Sequence, residues 1–436
     1  MLPTADVALT GPQEAASVQA AIHGLYAQGY RSIGVGRHST LGITKTAHSS
    51  RIQLPDGVVL IGGHVRNGLW HAGNGCRVVG GLWERDDPGS TDATMFRVGD
   101  VNDPREDVIF DGVRTRIGPD AGASVFAYDV RNGADVRVLD CRHVAEAPEP
   151  LGPEHGGGYR SGQAFCVGSG AWNVRIHGNR AEVLAEDDFI NFSSLYRRSG
   201  RIQVTSNLAK GFENLAAAVD CEGMYVAGNT GENVRRLFMG KASWFSPQPA
   251  TVRGISLVDN LLFDSPVDNP RLEEQGVRWR QVAMLLAGDG GMIEDVLING
   301  CQVHASQPAP GTNMIEVITR EGGIIRDFRA ANVNVTTTVP LDRLLSTTGP
   351  GTMRDFELYD WRIASAGVGT FYVTTGGFVP GTLYHHNIRV VSNRAAAAPT
   401  VRGLASSPPV PRGRAGREPS AQPDIDAGTL SRVRER

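Results

Sequence analysis

The sequence lacks long apolar runs and has no strong bias of charge. No stretch of about 18 apolar residues occurs, so no transmembrane helix is predicted. The 43 basic and 46 acidic residues nearly cancel, and the formal net charge is -3. Nucleic acids and anionic membranes are therefore not expected partners, because both are recognised by concentrated positive charge.

The sequence also shows no leader pattern and has few cysteines. Residues 1–6 lack the basic and apolar regions of a signal peptide, so no secretory signal is expected in this stretch. The five cysteines are widely separated and form no C-x-x-C pair: Cys76, Cys141, Cys166, Cys221 and Cys301. This pattern predicts reduced, packed thiols in preference to disulfides, and no metal site.

Aromatic residues make up only 7% of the chain, whereas glycine is abundant, with 54 residues. A seven-residue phrase recurs, with apolar residues at its second and fourth positions and a small or polar residue, often followed by Asn, at its end. The clearest copies begin at Asn173, Arg201, Gly223 and Gly254. Weaker copies begin at Gly57, Gly75, Asp107, Asp135, Asp295, Asp327, Asp355 and Asn387.

Each copy predicts a short strand with one inward face, followed by a turn. Copies about 30 residues apart cannot form hairpins, so each strand must stack in parallel on the next coil. The sequence therefore predicts an all-β fold, a right-handed parallel β-helix of about twelve coils. Four first apolar residues are expected to point inward in one sheet: Val174, Ile202, Met224 and Ile255. Four asparagines on one turn are expected to form a ladder: Asn179, Asn207, Asn229 and Asn260.

The chain divides into three predicted regions. Residues 1–56 form an N-terminal cap, in which apolar residues at helical spacing between 13 and 28 predict an amphipathic helix over the first coil, together with the first strands. Residues 57–394 form the parallel β-helix. Residues 395–436, rich in Ala, Pro, Arg, Ser and Gly, are predicted to be a disordered or linker tail.

Three segments, Gln13–Ile22, Tyr30–Val35 and Gln53–Gly63, resemble the opening of pectate-lyase-superfamily proteins, which include polygalacturonase-like enzymes and phage tailspike depolymerases. The resemblance covers about residues 10–394 and departs at residues 36–38, where a proline-rich turn is usual. It implies a polysaccharide substrate and an extracellular or virion-associated location. Resemblance to tailspikes also implies a homotrimer.

The densest acidic cluster consists of Glu182, Glu186, Asp187 and Asp188, and it precedes an alternating strand. Glycoside hydrolysis needs two carboxylates that flank a bond, and crowding of carboxylates raises the pKa of one of them. The cluster resembles the paired-aspartate strand of polygalacturonases, which implies catalytic roles for Asp187 and Asp188, with Glu186 and Asp220 as further candidates. Gln163 stands where a third aspartate is usual, and the Gly-His-Gly of that family is missing. The alternative is a set of solvated turn residues.

A substrate groove is expected beside this cluster, because the following coils supply cations, carboxylates and an aromatic ring. Tryptophan packs against apolar sugar faces, and arginine binds carboxylates through two hydrogen bonds. The predicted substrate-binding residues are Glu222, Arg236, Lys241 and Trp244, with Tyr159 and His155 on a long loop that could wall the groove. The alternative for Arg236 is that it lies on a solvated coil edge and binds no substrate.

Two classes of function follow. The first is a polysaccharide-degrading enzyme, with hydrolysis expected in preference to elimination; Ca²⁺ would be a cofactor only for elimination, in which Arg236 and Lys241 would act. The second is a non-catalytic tail or adhesion protein that binds a glycan or is purely structural. An epimerase or isomerase acting on a bound glycan is a third, weaker hypothesis.

Overall fold

The computed structural model describes residues 3–44, 51–86, 94–118, 124–146, 161–183, 188–193, 199–245, 249–264, 280–305, 313–338, 340–365, 368–377 and 379–392. In these residues the chain passes repeatedly through three sheets in one order, from sheet 1 to sheet 2 to sheet 3. Neighbouring strands pair in parallel, for example Val174 with Ile202 and Ile202 with Met224. The predicted parallel β-helix is thus confirmed. The predicted tail, 395–436, lies outside the described residues.

Nearly every coil contributes one strand to each sheet. Sheet 1 contains Thr4–Asp6, Ser32–Val35, Val59–Gly62, Arg77–Val79, Arg105–Glu106, Ile109–Asp111, Gly133–Ala134, Arg137–Leu139, Trp172–His177, Gly200–Thr205, Glu222–Ala227, Thr251–Val258, Met292–Asn299, Ile324–Ala331, Thr352–Tyr359, Val379–Pro380 and Leu383–His386. Sheet 2 contains Gly11–Glu14, Leu41–Thr44, His64–Arg66, Leu82–Arg85, Arg114–Ile117, Arg142–Ala145, Arg180–Val183, Leu208–Lys210, Thr230–Glu232, Leu261–Phe263, Gln302–Ala305, Asn334–Thr337, Arg362–Ser365 and Arg389–Ser392. Sheet 3 contains Arg51–Gln53, Leu69–Ala72, Phe96–Val98, Ser124–Val130, Ser161–Val167, Asp188–Ser193, Asn214–Val219, Arg236–Ala242, Gln281–Ala287, Asn313–Thr319, Leu341–Thr348 and Val368–Thr375. The 12 strands of sheet 3 agree with the predicted number of coils.

The core residues predicted from the repeat lie inside the coils. Val174, Ile202, Met224 and Ile255 are each at most 1% exposed and share one register in sheet 1. The cysteines are free, and four of the five are buried. Both observations agree with the sequence prediction.

In each coil from the one with strand ends Val79 and Leu82 to the one with strand ends His386 and Arg389, a two-residue turn connects sheet 1 to sheet 2. Its first residue has a positive φ in every one of these coils, which glycine, asparagine and aspartate tolerate best. Its second residue supplies the predicted ladder. The Asn179 Nδ2 donates to Asn207 Oδ1 over 3.0 Å, and the Asn207 Nδ2 donates to Asn229 Oδ1 over 2.8 Å. Asn229 bonds Asn260 in the same way over 2.9 Å.

A second left-handed residue stands in sheet 1, immediately before the first inward residue of each coil from Gly57 to Asp355. It kinks the strand and marks the first position of the repeat. The predicted twelfth copy, beginning at Asn387, is wrong. Asn387 lies in the turn between sheets 1 and 2, and Leu383 pairs with Phe356 in sheet 1 instead. The error arose because an Asn followed by an apolar residue can occur both at the turn between sheets 1 and 2 and at the left-handed position within sheet 1.

The predicted N-terminal helix is confirmed over Ala15–Ala27, with Ala15, Val18 and Ile22 buried. The Gln19 Oε1 accepts a hydrogen bond of 2.8 Å from the backbone N–H of Gln53. That N–H belongs to the first strand of sheet 3, whose edge would otherwise be open. The helix therefore protects the end of the solenoid, as capping requires.

The corner between sheets 2 and 3 varies in length, in contrast to the constant turn. Strands end and begin close together at Lys210 and Asn214 and at Glu232 and Arg236. They stand far apart in sequence at Phe263 and Gln281. The register is unaffected, since Arg236 and Gln281 are direct partners.

Candidate functional site

Asp188, a member of the predicted acidic cluster, begins a strand of sheet 3 and is only 3% exposed. Its carboxylate accepts hydrogen bonds from Asn214 Nδ2 at 2.6 Å and from Asn191 Nδ2 at 3.1 Å. These two amide donors hold the Asp188 side chain in place at the N-terminal end of its strand in sheet 3. Glu182 lies in sheet 2, where its Oε1 stands 3.5 Å from Lys210 Nζ. Glu186, Asp187, Tyr159 and His155 lie outside the described residues.

Arg236 lies in the same polar row, because the register aligns Asp188 with Asn214 and Asn214 with Arg236. Its guanidinium donates to Gln281 Oε1 at 2.6 Å and to Glu213 Oε1 at 2.5 Å. Burial raises the pKa of Glu213, but the neighbouring arginines outweigh burial and hold that pKa below its usual value. The Arg236 side chain is 4% exposed. A substrate carboxylate would have to displace these partners to bind it.

Asp220, Lys241 and Trp244 lie at the C-terminal ends of sheet 3 strands, whereas Asp188 and Arg236 lie at the N-terminal ends. Asp220 accepts a hydrogen bond of 2.7 Å from the backbone N–H of Ser243, and burial raises its pKa. Lys241 stands 5.1 Å from the ring centre of Phe245, and the Trp244 ring is covered by Arg320 at 4.2 Å. Five residues of extended strand separate Lys241 from Arg236, or roughly 17 Å. Among the described residues, those predicted for the site therefore do not share one groove.

Glu222 occupies a third place, at the start of a strand on the outer face of sheet 1. Its Oε2 accepts hydrogen bonds from Arg253 Nε at 2.6 Å and Nη2 at 2.5 Å. The register pairs Glu222 with Arg253 and Arg253 with Glu294. Acidic and basic side chains thus alternate from coil to coil along this row.

A cleft of about 470 Å³ opens beside Glu222, and we call it the sheet-1 cleft. It is lined by Trp172, Gly200, Arg201, Glu222, Gly223, Arg253, Gly254, Glu294 and Asp295. Glycines form part of its wall: Gly223 and Gly254 have a positive φ, and at Gly200 the neighbours leave little room for a side chain. A Cβ at Gly200 would lie 2.8 Å from the Trp172 ring and 3.1 Å from the Glu222 carbonyl oxygen. The tryptophan ring thus lies against a backbone without side chains.

Two exposed aromatic side chains stand within two coils of each other on this face of sheet 1. Trp172 and Tyr225 are each 37% exposed, and their strands are two coils apart, or roughly 10 Å. Aromatic rings flanked by charged hydrogen-bonding groups can pack against the apolar face of a sugar while its hydroxyls are bonded. The chemistry expected of the predicted groove is therefore present here, although only Glu222 was predicted to belong to it.

The sequence contains a signal for this cleft at the start of the seven-residue repeat, a position at which the repeat pattern allows any residue. Trp172 directly precedes the copy that begins at Asn173, and Arg201, Gly223 and Gly254 begin the next three copies. Trp172 pairs with Gly200, one residue before Arg201, and Trp172, Arg201, Gly223 and Gly254 all line the cleft. A comparison of the residues at the first position of the repeat in successive coils would have identified the cleft.

Comparison with known proteins supports the fold. No family model and no curated protein matches the chain. Among solved structures, a tailspike protein mutant of E. coli bacteriophage HK620 matches with a TM-score of 0.53 and 12% identity, over 87% of this chain and 75% of that one. PfbA, a surface adhesin of Streptococcus pneumoniae, matches with a TM-score of 0.48 and 10% identity, over 84% of this chain and 92% of that one. Together with its three parallel sheets, the match to the tailspike shows that this chain has a right-handed parallel β-helix fold.

Proposed function

We propose that this protein binds a polysaccharide in the sheet-1 cleft. The observation that carries the proposal is the exposed Trp172 ring beside the Glu222–Arg253 ion pair, in a cleft with glycines in its wall. A sugar ring needs an apolar platform with hydrogen-bonding groups at its edge, and this arrangement supplies both. The parallel strands hold the groups in place, so little order has to be gained on binding.

Replacing Trp172 by alanine tests this proposal. The variant should bind the glycan at least about ten-fold more weakly, which corresponds to about 1.4 kcal/mol, because it removes the aromatic platform. The ligand is first found on a glycan array, and its affinity is then measured by calorimetry.

Phe245→Ala is the matched control, since Phe245 is a 65% exposed aromatic residue beyond the end of a sheet 3 strand. Its affinity should equal that of the wild type. Loss of binding in this variant with normal binding in Trp172→Ala would contradict the proposal.

Glycoside hydrolysis is the second candidate function, and Asp188 is the observation that favours it. Its carboxyl group is held in place by two amide donors and directly follows two more acidic residues in sequence, and glycoside hydrolysis uses a pair of carboxyl groups. Catalysis at Asp188 would require a substrate at the N-terminal ends of the sheet 3 strands, away from the sheet-1 cleft. Cleavage and cleft binding are therefore separable by mutation.

Asp188→Asn should lower the rate of sugar release by at least about 10², a typical contribution of general acid–base catalysis, while glycan binding is retained. Release of reducing ends measures the rate. The control is Asp360→Asn, an exposed turn residue that asparagine can replace at the same positive φ. Wild-type rates in Asp188→Asn would assign this carboxylate to structure, and an unsaturated product would indicate elimination.

The location proposed for the protein is a virion or a cell surface, where polysaccharides are exposed. The similar solved structure with the higher of the two TM-scores is named as a phage tailspike, which supports this location. Among the described residues no helix has the length and apolarity to cross a bilayer. The homotrimer remains an expectation drawn from the resemblance.

A further inference from the structure

Arg201 occupies a backbone position that arginine rarely adopts. Its φ is 57°, in the left-handed region, where a side chain with a Cβ is strained. The ten equivalent positions of the other coils hold only glycine, aspartate or asparagine: Gly57, Gly75, Asp107, Asp135, Asn173, Gly223, Gly254, Asp295, Asp327 and Asp355. An arginine in this series costs stability that glycine would not. Strain of this kind is concentrated at functional positions.

The Arg201 side chain is exposed and lines the sheet-1 cleft. Its guanidinium carbon stands 5.5 Å from the centre of the Trp172 ring, within the range of a cation–π contact. The next two coils present Gly223 and Gly254 at the same position, so no side chain from these positions covers it. A Cβ at Gly223 would lie 3.2 Å from the Arg201 backbone nitrogen.

The charge of Arg201 is not balanced by a carboxylate. Arg253, the other arginine of the cleft, is paired with Glu222 through two hydrogen-bonding nitrogens. Arg201 forms no ion pair with any residue in the described part of the chain. Among the described residues, Arg201 is thus a cation of the cleft without an ion-pair partner, and it stands beside an aromatic ring, while the carboxylate of Asp295 also lines the cleft.

We propose that Arg201 determines specificity, by binding a carboxylate of an acidic sugar packed against Trp172. This inference rests on the proposed glycan binding and names the class of glycan. The planar guanidinium matches a carboxylate through two parallel hydrogen bonds, a geometry that a compact ammonium group does not offer. The ring would hold the apolar face of the same residue or its neighbour.

The test uses the full chain on an array of carboxylated, sulfated and neutral oligosaccharides, followed by titration with the best carboxylated glycan and its carboxyl-reduced form. Wild type should bind the acidic form at least about ten-fold more tightly, the range of one good charged hydrogen-bond pair. Arg201→Gly should bring this ratio close to one. It should fold normally, with an unchanged or higher melting temperature, because glycine suits the positive φ.

Arg354→Gln is the control, an exposed arginine on sheet 1 outside the sheet-1 cleft, and its ratio should stay at the wild-type value. Equal binding of both glycan forms by wild type, or an unchanged ratio in Arg201→Gly, would overturn the role of Arg201 while leaving glycan binding intact. A preference for sulfate esters would overturn the assignment to a carboxylate. Binding to no glycan on the array would overturn both proposals.

Discussion

Truncation of Ile202 to alanine is expected to lower the free energy of unfolding by about 2–5 kcal/mol. Ile202 is 1% exposed and stacks between Val174 and Met224 in adjacent coils. Parallel hydrogen bonds on both sides fix the spacing of these coils. The neighbours therefore cannot close the cavity, and the loss should fall in the upper part of the range. Denaturant unfolding followed by circular dichroism measures it.

Gln203→Ala is the control for this prediction, since Gln203 follows Ile202 in the same strand and is only partly buried. Its replacement should change stability by less than about 0.5 kcal/mol. Equal losses in both variants would show that the strand is sensitive to any substitution, whichever face it affects.

Acidification is expected to destabilise the protein through His143, which is fully inside the coils at 1% exposure. Its Nδ1 lies 2.8 Å from Thr115 Oγ1, and its Nε2 has no partner among the described residues. Burial lowers the pKa of His143 from 6.5 to about 3. The unfolded chain therefore binds a proton between these pH values that the folded chain does not bind, and stability falls as pH falls. The loss approaches about 4 kcal/mol by pH 3.

His143→Asn isolates this contribution, because an asparagine amide can also bond Thr115 but does not titrate. The difference in unfolding free energy between wild type and variant should shrink steadily from pH 7 to pH 4. Parallel pH profiles of the two proteins would contradict the assignment to His143. His71, whose pKa burial lowers to about 4, should add a smaller slope of the same sign in both proteins.

The sequence predicted sheet 1 well because its strands repeat an alternating pattern that ends in a constant turn. The asparagine ladder and the inward residues followed directly from that pattern. Sheets 2 and 3 were not separated in advance, since a strand as short as Thr230–Glu232 carries no recognisable period. The three-dimensional order of the chain was needed to locate them.

The candidate site was less predictable, because residue type does not reveal how a side chain is used. Trp244 was expected to bind sugar, yet its ring lies under Arg320. Arg236 was expected to bind a substrate, and the structure places its guanidinium in hydrogen bonds to Gln281 and Glu213. Trp172 was overlooked, although it is the exposed tryptophan on the outer face of sheet 1. Exposure and pairing depend on the stacking of distant coils, which local sequence does not encode.

The contrast between the constant corner and the variable corner bears on how such a protein can change its ligand. A segment can be lengthened or exchanged between Phe263 and Gln281 while Arg236 and Gln281 stay aligned. Recombination with boundaries in this corner would exchange the connecting sequence while the pairing of the flanking strands is kept. The sheet-1 cleft is different, because its groups belong to the strands themselves. The specificity of the cleft should change through point substitutions, whereas the corner between sheets 2 and 3 can diversify by exchange of whole segments.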